Sequence, residues 1–516
     1  MKYVNLSKTR GNMHLITLKN SKLKWYFLLV GVGIHLAFFT AIFQVCNYII
    51  SSPLPLPVFA QKTQENMEKN YPSIAILTAS ILKPLMLLKE DVEYGYLIDP
   101  LKWQGVGANV GETKVIEKYN TIIQVSTSSG LISALVSAQA GQFIELLPGL
   151  YKINKSRVHI DGKGLESSPN IVFSKTLGDA VIELQGEGIV VDKPYWQFHN
   201  LHFKGSCKKH SSCEHAFHVV GEGGNVMFSN NIFQDFNAAI KVNGLKGVYP
   251  DQGRIIHNTF FNTTARQTKN PVTPIDLMHA DRWQVSENFI FDFVKAKGNK
   301  ISYGAFFKGG SNKGIFSSNL IMCNANLKSE SVAIGLSLGG GGSPVKWHRN
   351  GHEYEHSGGV IRNNIIMNCP HDVGIYLNKA KNTIVHNNIL YNTMGIDVRF
   401  KEGTAKLLHN VLSGKIEERN GGVILQNSDN IVLSRSWLRA SEPLNELFKA
   451  PANGDFTWRK NYHYVDTDRT QEFSVDFCGN KTNKAYIGAF LSTRFCKDKM
   501  NLNNTELQYK FAIEHK

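Results

Sequence analysis

Short phrases of alternating apolar and polar residues recur along the middle of the chain. Eight of them begin at residues 216, 239, 274, 305, 335, 374, 395 and 422, and read AFHVVG, AIKVNG, PIDLMH, AFFKGG, GLSLGG, GIYLNK, GIDVRF and GVILQN. A period of two places alternate side chains on opposite sides of a strand. One set is apolar and is predicted to point inwards: Phe217, Val219, Ile240, Val242, Ile275, Leu277, Ile375, Leu377, Ile396 and Val398.

A second phrase, in which an Asn precedes apolar residues, recurs between the first ones. Its Asn residues stand at positions 231, 258, 288, 319, 364, 388 and 410, with gaps of 27, 30, 31, 45, 24 and 22 residues. Short strands with a period of about 20–30 residues are typical of a solenoid. The amphipathic helices that a βαβ sheet needs between its strands are absent from the pattern. We therefore predict an all-β parallel β-helix in which these Asn residues form an inward-turned ladder of side-chain amides.

The beginning of the solenoid is predicted from residues 129–151, SGLISALVSAQAGQFIELLPGLY. They indicate a short amphipathic helix, an Ala-Gly turn and the strand FIELL. A solenoid needs a cap on its open apolar end, and the segment 131–138 is predicted to supply it. We expect the β-helix to span residues 126–435, and residues 436–516 to form a tail that packs across its far end.

Residues 26–50 carry no charge and are long enough to cross a bilayer. Six Lys and Arg residues and no acidic residue precede them. By the positive-inside rule we expect a cytoplasmic segment at 1–25, a single-pass inner-membrane anchor at 26–50, and a periplasmic body. Residues 51–125 are expected to form a linker and an N-terminal cap region. Because Val58-Phe59-Ala60 has the spacing of a signal-peptidase site, secretion after cleavage behind Ala60 remains the alternative.

The chain has seven cysteines, and six of them fall into pairs. The expected pairs are Cys207 with Cys213 around a basic loop, Cys323 with Cys369 on neighbouring coils, and Cys478 with Cys496 in the tail. Three disulfides suit an oxidising compartment. A zinc site is a weaker interpretation, because no C-x-x-C motif occurs.

The formal net charge is +15. Outside the cytoplasm a basic surface favours anionic partners such as uronic-acid polysaccharide, lipopolysaccharide or phospholipid. A charge that serves solubility alone explains the number equally well. We expect an anionic polysaccharide as partner, membrane contact through the N-terminal helix, and no nucleic acid.

A packed β-helix interior leaves the outward face of a sheet and its neighbouring loops as the place for function. The first outward row is predicted to contain His218, Lys241, Asp276, Lys308, Ser337, Tyr376 and Asp397. A second row, one pleat further, is predicted to contain Asn243, His279, Asn378 and Arg399. Because adjacent coils lie about 4.8 Å apart, we expect Lys241, Asp276 and Lys308 within about two such spacings. The register of Lys308 is uncertain by one residue, and solvation of an exposed strand is the alternative role for any one of these side chains.

The long loop at residues 339–358 makes the largest gap in the Asn spacing, and long loops on rigid scaffolds often carry function. Trp347 and Tyr354 are candidates for stacking on sugar rings. The His and Glu residues of HRNGHEYEH are candidates for binding a metal, although the sequence is not H-E-x-x-H.

A second loop, CKKHSSCEH, carries Lys208, Lys209 and His210 close to His218. It predicts a basic wall beside the outward rows. A surface loop pinned by a disulfide is the alternative.

The opening passage and the repeated phrases resemble pectin-lyase-like β-helix proteins over residues 121–435. This resemblance implies a right-handed parallel β-helix and an activity on polysaccharides as a lyase, a C5-epimerase or a hydrolase. The phrases NTD, GHG and RIK of proteins similar to polygalacturonase are absent, which disfavours hydrolysis.

Among characterised enzymes the chain is similar to the chondroitinase B and alginate lyase family. The resemblance implies that Lys308 is the base and that Ca²⁺ is a possible cofactor. Two departures stand against this: the next coil, GLSLGGGG, has no Arg, and SYGAFF before Lys308 has no acid to hold calcium. Asp276 and His279 only faintly resemble the D-P-H phrase of alginate C5-epimerases. The chain more closely resembles uncharacterised bacterial exported β-helix proteins that share phrases such as HAFHVVG.

These observations predict an enzyme that acts on a uronic-acid glycan by β-elimination or C5 epimerisation. Such chemistry needs a cation for the carboxylate and a base whose pKa is lowered by burial or positive neighbours. Candidate catalytic residues are Lys308, Lys241, Asp276, His279, Tyr376 and Arg399. Candidate substrate-binding residues are His218, Asn243, Trp347, Tyr354, Asn378 and Asp397. The alternative is a non-catalytic β-helix that binds glycan or organises the envelope.

Overall fold

The computed structural model describes residues 21–51, 56–86, 98–100, 102–103, 105–109, 122–327, 331–434, 442–460, 475–481, 485–490 and 496. One unit, Met1–Ser52, contains the helix Ser21–Ser51. The other, Pro53–Lys516, contains a helical hairpin, Leu56–Asn70 and Pro72–Met86, and then the β-structure. Cys46 of the first unit has a side chain outside the described part.

Three long parallel sheets, here called A, B and C, make up the β-structure in the described part of the chain. Sheet A contains Ile122–Val125, Phe143–Leu146, Asn170–Phe173, Trp196–His199, Met227–Ser229, Arg254–Ile256, Gln284–Ser286, Ile315–Ser317, Val360–Arg362, Thr383–His386, Thr404–Leu408 and Val423–Ser428. Sheet B contains Gly149–Ile153, Ala180–Leu184, His202–Gly205, Ile232–Gln234, Thr259–Phe261, Phe289–Phe291, Leu320–Met322, Ile365–Cys369, Ile389–Thr393, Val411–Ser413 and Ile431–Leu433. Sheet C contains Val158–His159, Ile189–Val191, Phe217–Val220, Ile240–Asn243, Ile275–Met278, Ile301–Lys308, Val332–Leu338, Ile375–Asn378, Gly395–Arg399 and Lys415–Arg419.

The chain visits sheets A, B and C in turn, so each round forms one coil of a parallel β-helix. Each strand pairs in parallel with the strand of the same sheet in the next coil. Smaller elements are the parallel strands Ser311–Asn312, His356–Ser357 and Ala380–Lys381, and the antiparallel strands Phe448–Ala450 and Asp455–Trp458. Short 3₁₀ helices occur at His210–Ser212, Val345–Trp347, Arg349–Gly351, Pro443–Glu446 and Pro451–Asn453.

The predicted inward residues are confirmed as the core. All ten apolar side chains named for the eight phrases are fully buried and belong to one continuous cluster. Equivalent aromatic rings stack along the axis, for example Phe233 on Phe260 with centroids 4.7 Å apart. The alternation therefore stabilises each coil through burial and neighbouring coils through stacking.

The Asn ladder is confirmed and continues to Asn430. In a typical step, Asn288 accepts from the backbone N–H of Asn258 at 2.9 Å and donates to the side-chain oxygen of Asn319 at 3.0 Å. The residue before each ladder Asn has a left-handed backbone, for example Glu287 with φ 56°. That bend turns the Asn inwards, where its amide satisfies backbone groups that would otherwise be buried without partners.

The predicted N-terminal cap is present as the helix Ser128–Val136. Thr127 caps it by accepting the N–H of Gly130 at 3.1 Å. Leu131 and Leu135 are buried in the core cluster. The helix therefore closes the open apolar end of the first coil.

The outer face of sheet B is apolar and is covered by segments from both ends of the chain. Trp103 packs against Phe289 with ring centroids 5.0 Å apart, and Phe448 and Trp458 join the same cluster. The described part of the tail thus packs along the side of the β-helix, rather than across its far end as expected. Short strands with apolar residues on both faces made this cover hard to recognise in the sequence.

All three predicted disulfides are confirmed: Cys207–Cys213, Cys323–Cys369 and Cys478–Cys496. Among the described residues, no helix combines the length and the apolar character that crossing a bilayer requires. The anchor expected at residues 26–50 is therefore not supported.

Candidate functional site

The positions along sheet C differ from the expected ones at Lys308 in the first row and at His279 in the second. The first outward row contains His218, Lys241, Asp276, Phe306, Ser337, Tyr376, Asp397 and Glu417. Phe306 takes the place expected for Lys308, which pairs with Met278 in the second row. Lys308 therefore lies two residues further along its strand, Ile301–Lys308, than expected. Because side chains alternate with a period of two, it still points outwards.

Lys241 and Asp276 form a nearly buried ion pair on neighbouring strands. The Nζ atom of Lys241 lies 2.6 Å from Oδ2 of Asp276, and the side chains are 17% and 6% exposed. Burial lowers the pKa of Lys241, and the charge of Lys308 adds to this effect, against the opposing effect of Asp276. Burial raises the pKa of Asp276, but the charges of Lys241 and Lys308 outweigh it and lower the pKa.

Lys308 completes a cluster of three charges. Its Nζ lies 4.5 Å from the centroid of the Phe306 ring, and its charge influences both Lys241 and Asp276. The remaining carboxylate oxygen of Asp276, Oδ1, is buried and has no hydrogen-bond partner in the described part of the chain. Two cations around one carboxylate leave a net positive site.

His218 extends this cluster by one strand. Its Nδ1 lies 3.0 Å from Oε2 of Glu187, and its Nε2 lies 2.8 Å from Oδ1 of Asn243. Burial raises the pKa of Glu187, but His218 and Arg157 outweigh it and lower the pKa. The ring of His215 lies 5.4 Å from that of His218. Burial, aided by the charge of His218, lowers the pKa of His215 to about 4.

Glu187 and His215 belong to this cluster but were not among the residues expected from the sequence. Glu187 precedes the strand Ile189–Val191, whose phrase GEGIVV does not resemble the other eight phrases. His215 directly precedes the phrase AFHVVG, and this position next to an outward-facing strand could have identified it as a neighbour of His218.

His279 lies in a turn one residue beyond the second row, with a left-handed φ of 59°. Its Nδ1 accepts the N–H of Gly244 at 3.1 Å, and its Nε2 donates to the carbonyl of Trp347 at 2.6 Å. Both ring nitrogens are therefore occupied. This geometry makes His279 the attachment point of the long loop, rather than a member of the charged cluster.

The long loop is folded around Glu355, which is completely buried. Glu355 accepts from the backbone of Gly309 at 2.8 Å and from Ser343, and lies 3.2 Å from His348 Nε2. Arg349 ties the loop to earlier coils through two hydrogen bonds to Asp251, at 2.6 and 3.0 Å. Glu355 and His348 of the loop therefore have structural partners.

No group of three or more His, Cys, Asp or Glu side chains in the described part of the chain is placed to hold a metal. Asp276, the acid of the charged cluster, faces two lysines instead of further acids. The donor set of a calcium site is thus missing around it, and no chemical step is assigned to a metal.

Two aromatic residues of the long loop have different surroundings. Trp347 is 60% exposed, and its backbone lies beside His279 at the C-terminal ends of the sheet C strands. Tyr354 donates to Asn312 at 2.9 Å and stacks on His352 with centroids 4.6 Å apart. Trp347 therefore presents an exposed indole next to the attachment point of the loop at His279, whereas the described contacts of Tyr354 lie within the loop and its neighbouring turn.

The basic loop CKKHSSCEH is held in place by a disulfide and a hydrogen bond, and its lysines are exposed. Asn237 donates to the carbonyl of His210 at 2.8 Å, and the Cys207–Cys213 disulfide closes the loop. Lys208 and Lys209 are exposed. The two expected interpretations, a basic wall and a disulfide-pinned loop, are therefore compatible.

A second polar cluster lies further along sheet C. Arg399 donates to the hydroxyl of Tyr376 at 3.1 Å, and Arg419 pairs with Asp397 at 3.0 Å. Burial raises the pKa of Asp397 to about 6. Tyr376 follows Asp276 by three strands, a separation of about 14 Å. The expected strip is thus divided into two clusters that do not reach the same sugar ring.

Asn378 lies on the same strand as Tyr376, where it donates to the carbonyl of Gly340 at 2.9 Å. Ser337 is fully buried, and its hydroxyl donates to the carbonyl of Tyr376 at 2.8 Å. Both side chains therefore hold the backbone of the strip.

No protein-family model matches the sequence, and no curated protein matches it. Among solved structures, the pectate lyase Pel9A has a TM-score of 0.49 and 13% identity, over 72% of this chain and 97% of that chain. A family 6 polysaccharide lyase from Pseudopedobacter saltans has a TM-score of 0.35 and 15% identity, over 63% and 94%. An alginate lyase from a Paenibacillus species has a TM-score of 0.29 and 13% identity, over 60% and 95%. With three parallel sheets wound coil on coil, this chain is a parallel β-helix similar in fold to pectate and alginate lyases.

Proposed function

We propose that this protein is a polysaccharide-active enzyme that cleaves a uronic-acid glycan by β-elimination. The observation that carries the proposal is the cluster of Lys241, Asp276 and Lys308 on the outward face of sheet C. It combines a nearly buried amine of lowered pKa with a second cation. The substrate class is that of the pectate and alginate lyases named above, but the assigned residues are this chain's own.

Lys308 is assigned to the uronate carboxylate. Removal of the C5 proton places negative charge on this carboxylate, so a cation beside it stabilises the transition state. Lys308 stands over the Phe306 ring and has no acid of its own within ion-pair distance among the described residues. Its ammonium group is therefore available to an anionic ligand.

Lys241 is assigned as the base. Burial and the nearby Lys308 lower its pKa, which increases the neutral fraction that can take a proton. Asp276 holds the amine at 2.6 Å and so acts as a positioning residue.

The reaction balances within this cluster. The C5–H bond breaks and its proton passes to Nζ of Lys241. The electron pair forms the C4–C5 double bond as the bond from C4 to the leaving oxygen breaks. Lys241 then returns the proton to that oxygen, so the enzyme ends in its starting protonation state.

The test is to incubate the full-length protein with polygalacturonate, alginate and glycosaminoglycan, and to record the ultraviolet absorbance of unsaturated uronate. We expect a rise with one polymer that Lys241→Gln and Lys308→Gln abolish. Lys406→Gln is the matched control, because Lys406 is exposed on a sheet A strand. Exchange of the C5 proton without a rise in absorbance would instead identify an epimerase. If both signals are absent on every polymer, the enzymatic proposal fails and a glycan-binding role replaces it.

We also propose that the β-helix works outside the cytoplasm. The three disulfides support this, because cytosolic thiols are kept reduced. Protease added to intact spheroplasts should digest the protein. Protection until the membrane is lysed would contradict this location.

A further inference from the structure

Two hydrogen bonds fix the amine of Lys241. Its Nζ donates to Oδ2 of Asp276 at 2.6 Å and to Sδ of Met278 at 3.5 Å. A lysine nitrogen has four bonding positions, and Cε and these two acceptors take three of them. The side chain belongs to the outward row of sheet C and is only 17% exposed. A ligand therefore meets the nitrogen from the outer side alone, at the single position where it takes up or gives back a proton.

The histidines near Lys241 are not free to supply a proton to the leaving oxygen. The two ring nitrogens of His218, on the neighbouring strand, lie 3.0 and 2.8 Å from other side chains. Both nitrogens of His279 are hydrogen-bonded as well. His215 donates from Nδ1 to the carbonyl of Ala238 at 2.9 Å, and its neutral ring then has no proton on Nε2. Lys241 is thus left to transfer the proton in both directions.

A single proton-transfer position restricts the configuration of the sugar. β-Elimination breaks the C5–H bond and the bond from C4 to the leaving oxygen. Where these two bonds are cis, they lie on the same face of the ring, and one nitrogen reaches both the hydrogen and the oxygen. Where they are trans, the ring stands between them, and a second proton donor on the opposite face is needed.

We propose that the cluster carries out a syn elimination and selects uronates whose C5–H and C4–O bonds are cis, as in D-mannuronate and D-glucuronate. The inference rests on the proposed function for the reaction itself. The proton passes from C5 to Nζ of Lys241, and the electron pair of the C5–H bond forms the C4–C5 double bond. The electron pair of the C4–O bond leaves with the oxygen, which then takes the proton from Nζ. In D-galacturonate and L-guluronate the two bonds are trans, so these sugars should be poor substrates.

The test compares polymers that differ in this one relation, with the full-length protein. Polymannuronate and polyguluronate differ in the configuration at C5, and glucuronan and polygalacturonate differ at C4. We expect kcat/KM to be at least about a hundredfold higher for polymannuronate and glucuronan, because a positioned general acid contributes about this factor or more. Lys241→Gln should abolish cleavage of every polymer. Lys406→Gln, exposed on sheet A, should leave the preference unchanged.

The long loop provides a second variant. Lys346 is the single lysine of residues 339–358, and it is exposed with its Nζ 5.1 Å from the centroid of the Trp347 ring. Lys346→Gln should leave the preference for polymannuronate over polyguluronate unchanged. Loss of cleavage in this folded variant would show that the loop supplies the acid from the other face, and would overturn the syn elimination.

A measurement in D₂O examines the polymer that remains uncleaved. Any deuterium found at C5 by NMR should have entered with retention of configuration, because Lys241 returns it to the face from which it removed the proton. Inversion at C5 would reveal a proton donor on the opposite face and overturn the inference.

The outcomes separate the inference from the proposed function. If polyguluronate or polygalacturonate is cleaved as fast as its cis partner, the syn elimination is refuted and the lyase proposal stands. If no polymer is cleaved and no C5 proton is exchanged, both are refuted.

Discussion

Replacing Asp276 by Asn tests whether Lys241 is the titrating base. The substitution keeps the shape of the side chain and an oxygen acceptor at 2.6 Å from Nζ, but removes the negative charge that raises the pKa of Lys241. Burial and Lys308, which lower this pKa, remain. The pKa of Lys241 should therefore fall below its wild-type value, and the alkaline rise in activity should move to lower pH.

The magnitude follows from the ion pair. Two unit charges about 4 Å apart interact by about 4 kcal/mol at an effective dielectric constant of about 20. The two charged atoms lie closer than this, at 2.6 Å, so removing the charge of Asp276 takes away a large interaction that favours the protonated form of Lys241. Because the Asn oxygen still accepts a hydrogen bond, part of the interaction remains, and we expect the neutral fraction of Lys241 at a pH below its pKa to rise by about tenfold or more.

The shift is measured in two ways. The first is the rate of double-bond formation on the preferred polyuronate as a function of pH. The second is an NMR titration of lysine labelled with ¹³C at Cε, which reports the pKa of Lys241 even without substrate. Lys406→Gln, on sheet A, supplies the control profile.

Two results would refute the reasoning. An unchanged pH profile, together with an unchanged Lys241 resonance, would show that the amine does not sense Asp276. Complete inactivity at every pH in a folded variant that still binds polymer would show that Asp276 takes part in the chemistry directly.

Three further outcomes are expected. Asn288→Ala should lower the free energy of unfolding in urea by about 3–5 kcal/mol, because it leaves several buried backbone and amide groups of the ladder without hydrogen-bond partners. A loss below about 1 kcal/mol would contradict the structural role of the ladder. Joint replacement of Cys323 and Cys369 by Ser should lower stability by about 2–4 kcal/mol, because their disulfide closes a loop between residues 46 positions apart; an unchanged urea midpoint would contradict it. Trp347→Ala should raise KM without changing kcat or Tm, because the indole is 60% exposed on the loop that His279 holds at the ends of the sheet C strands; an unchanged KM would show that the indole does not contact polymer.

Most of the fold was predictable from the sequence because the repeat is local. Alternation within each phrase identified the inward residues such as Ile240 and Val242, and the Asn spacing identified the amide ladder. Each Asn acts within one bend and bonds to the equivalent Asn of the next coil. Its role therefore follows from its position in the repeat alone.

The candidate site was predictable only in part. The outward row from His218 through Asp276 followed from parity along the strands. The long strand that ends at Lys308 shifted that residue by two positions, because strand length is determined by pairing with the next coil. Because side chains alternate with a period of two, a shift of two positions leaves Lys308 on the outward face.

By itself, the sequence determined the solenoid, its inward and outward faces, its capping helix and its disulfides. The sequence also placed Lys241, Asp276 and Lys308 on neighbouring strands. Only the tertiary structure decided that Lys241 and Asp276 form a nearly buried ion pair, that Arg399 belongs to another cluster, and that His279 and Glu355 hold the long loop. The physical reason is the separation along the chain over which each effect acts. Periodicity acts over a few residues, whereas ion pairs, burial and pKa shifts depend on side chains from coils 30 or more residues apart in the chain.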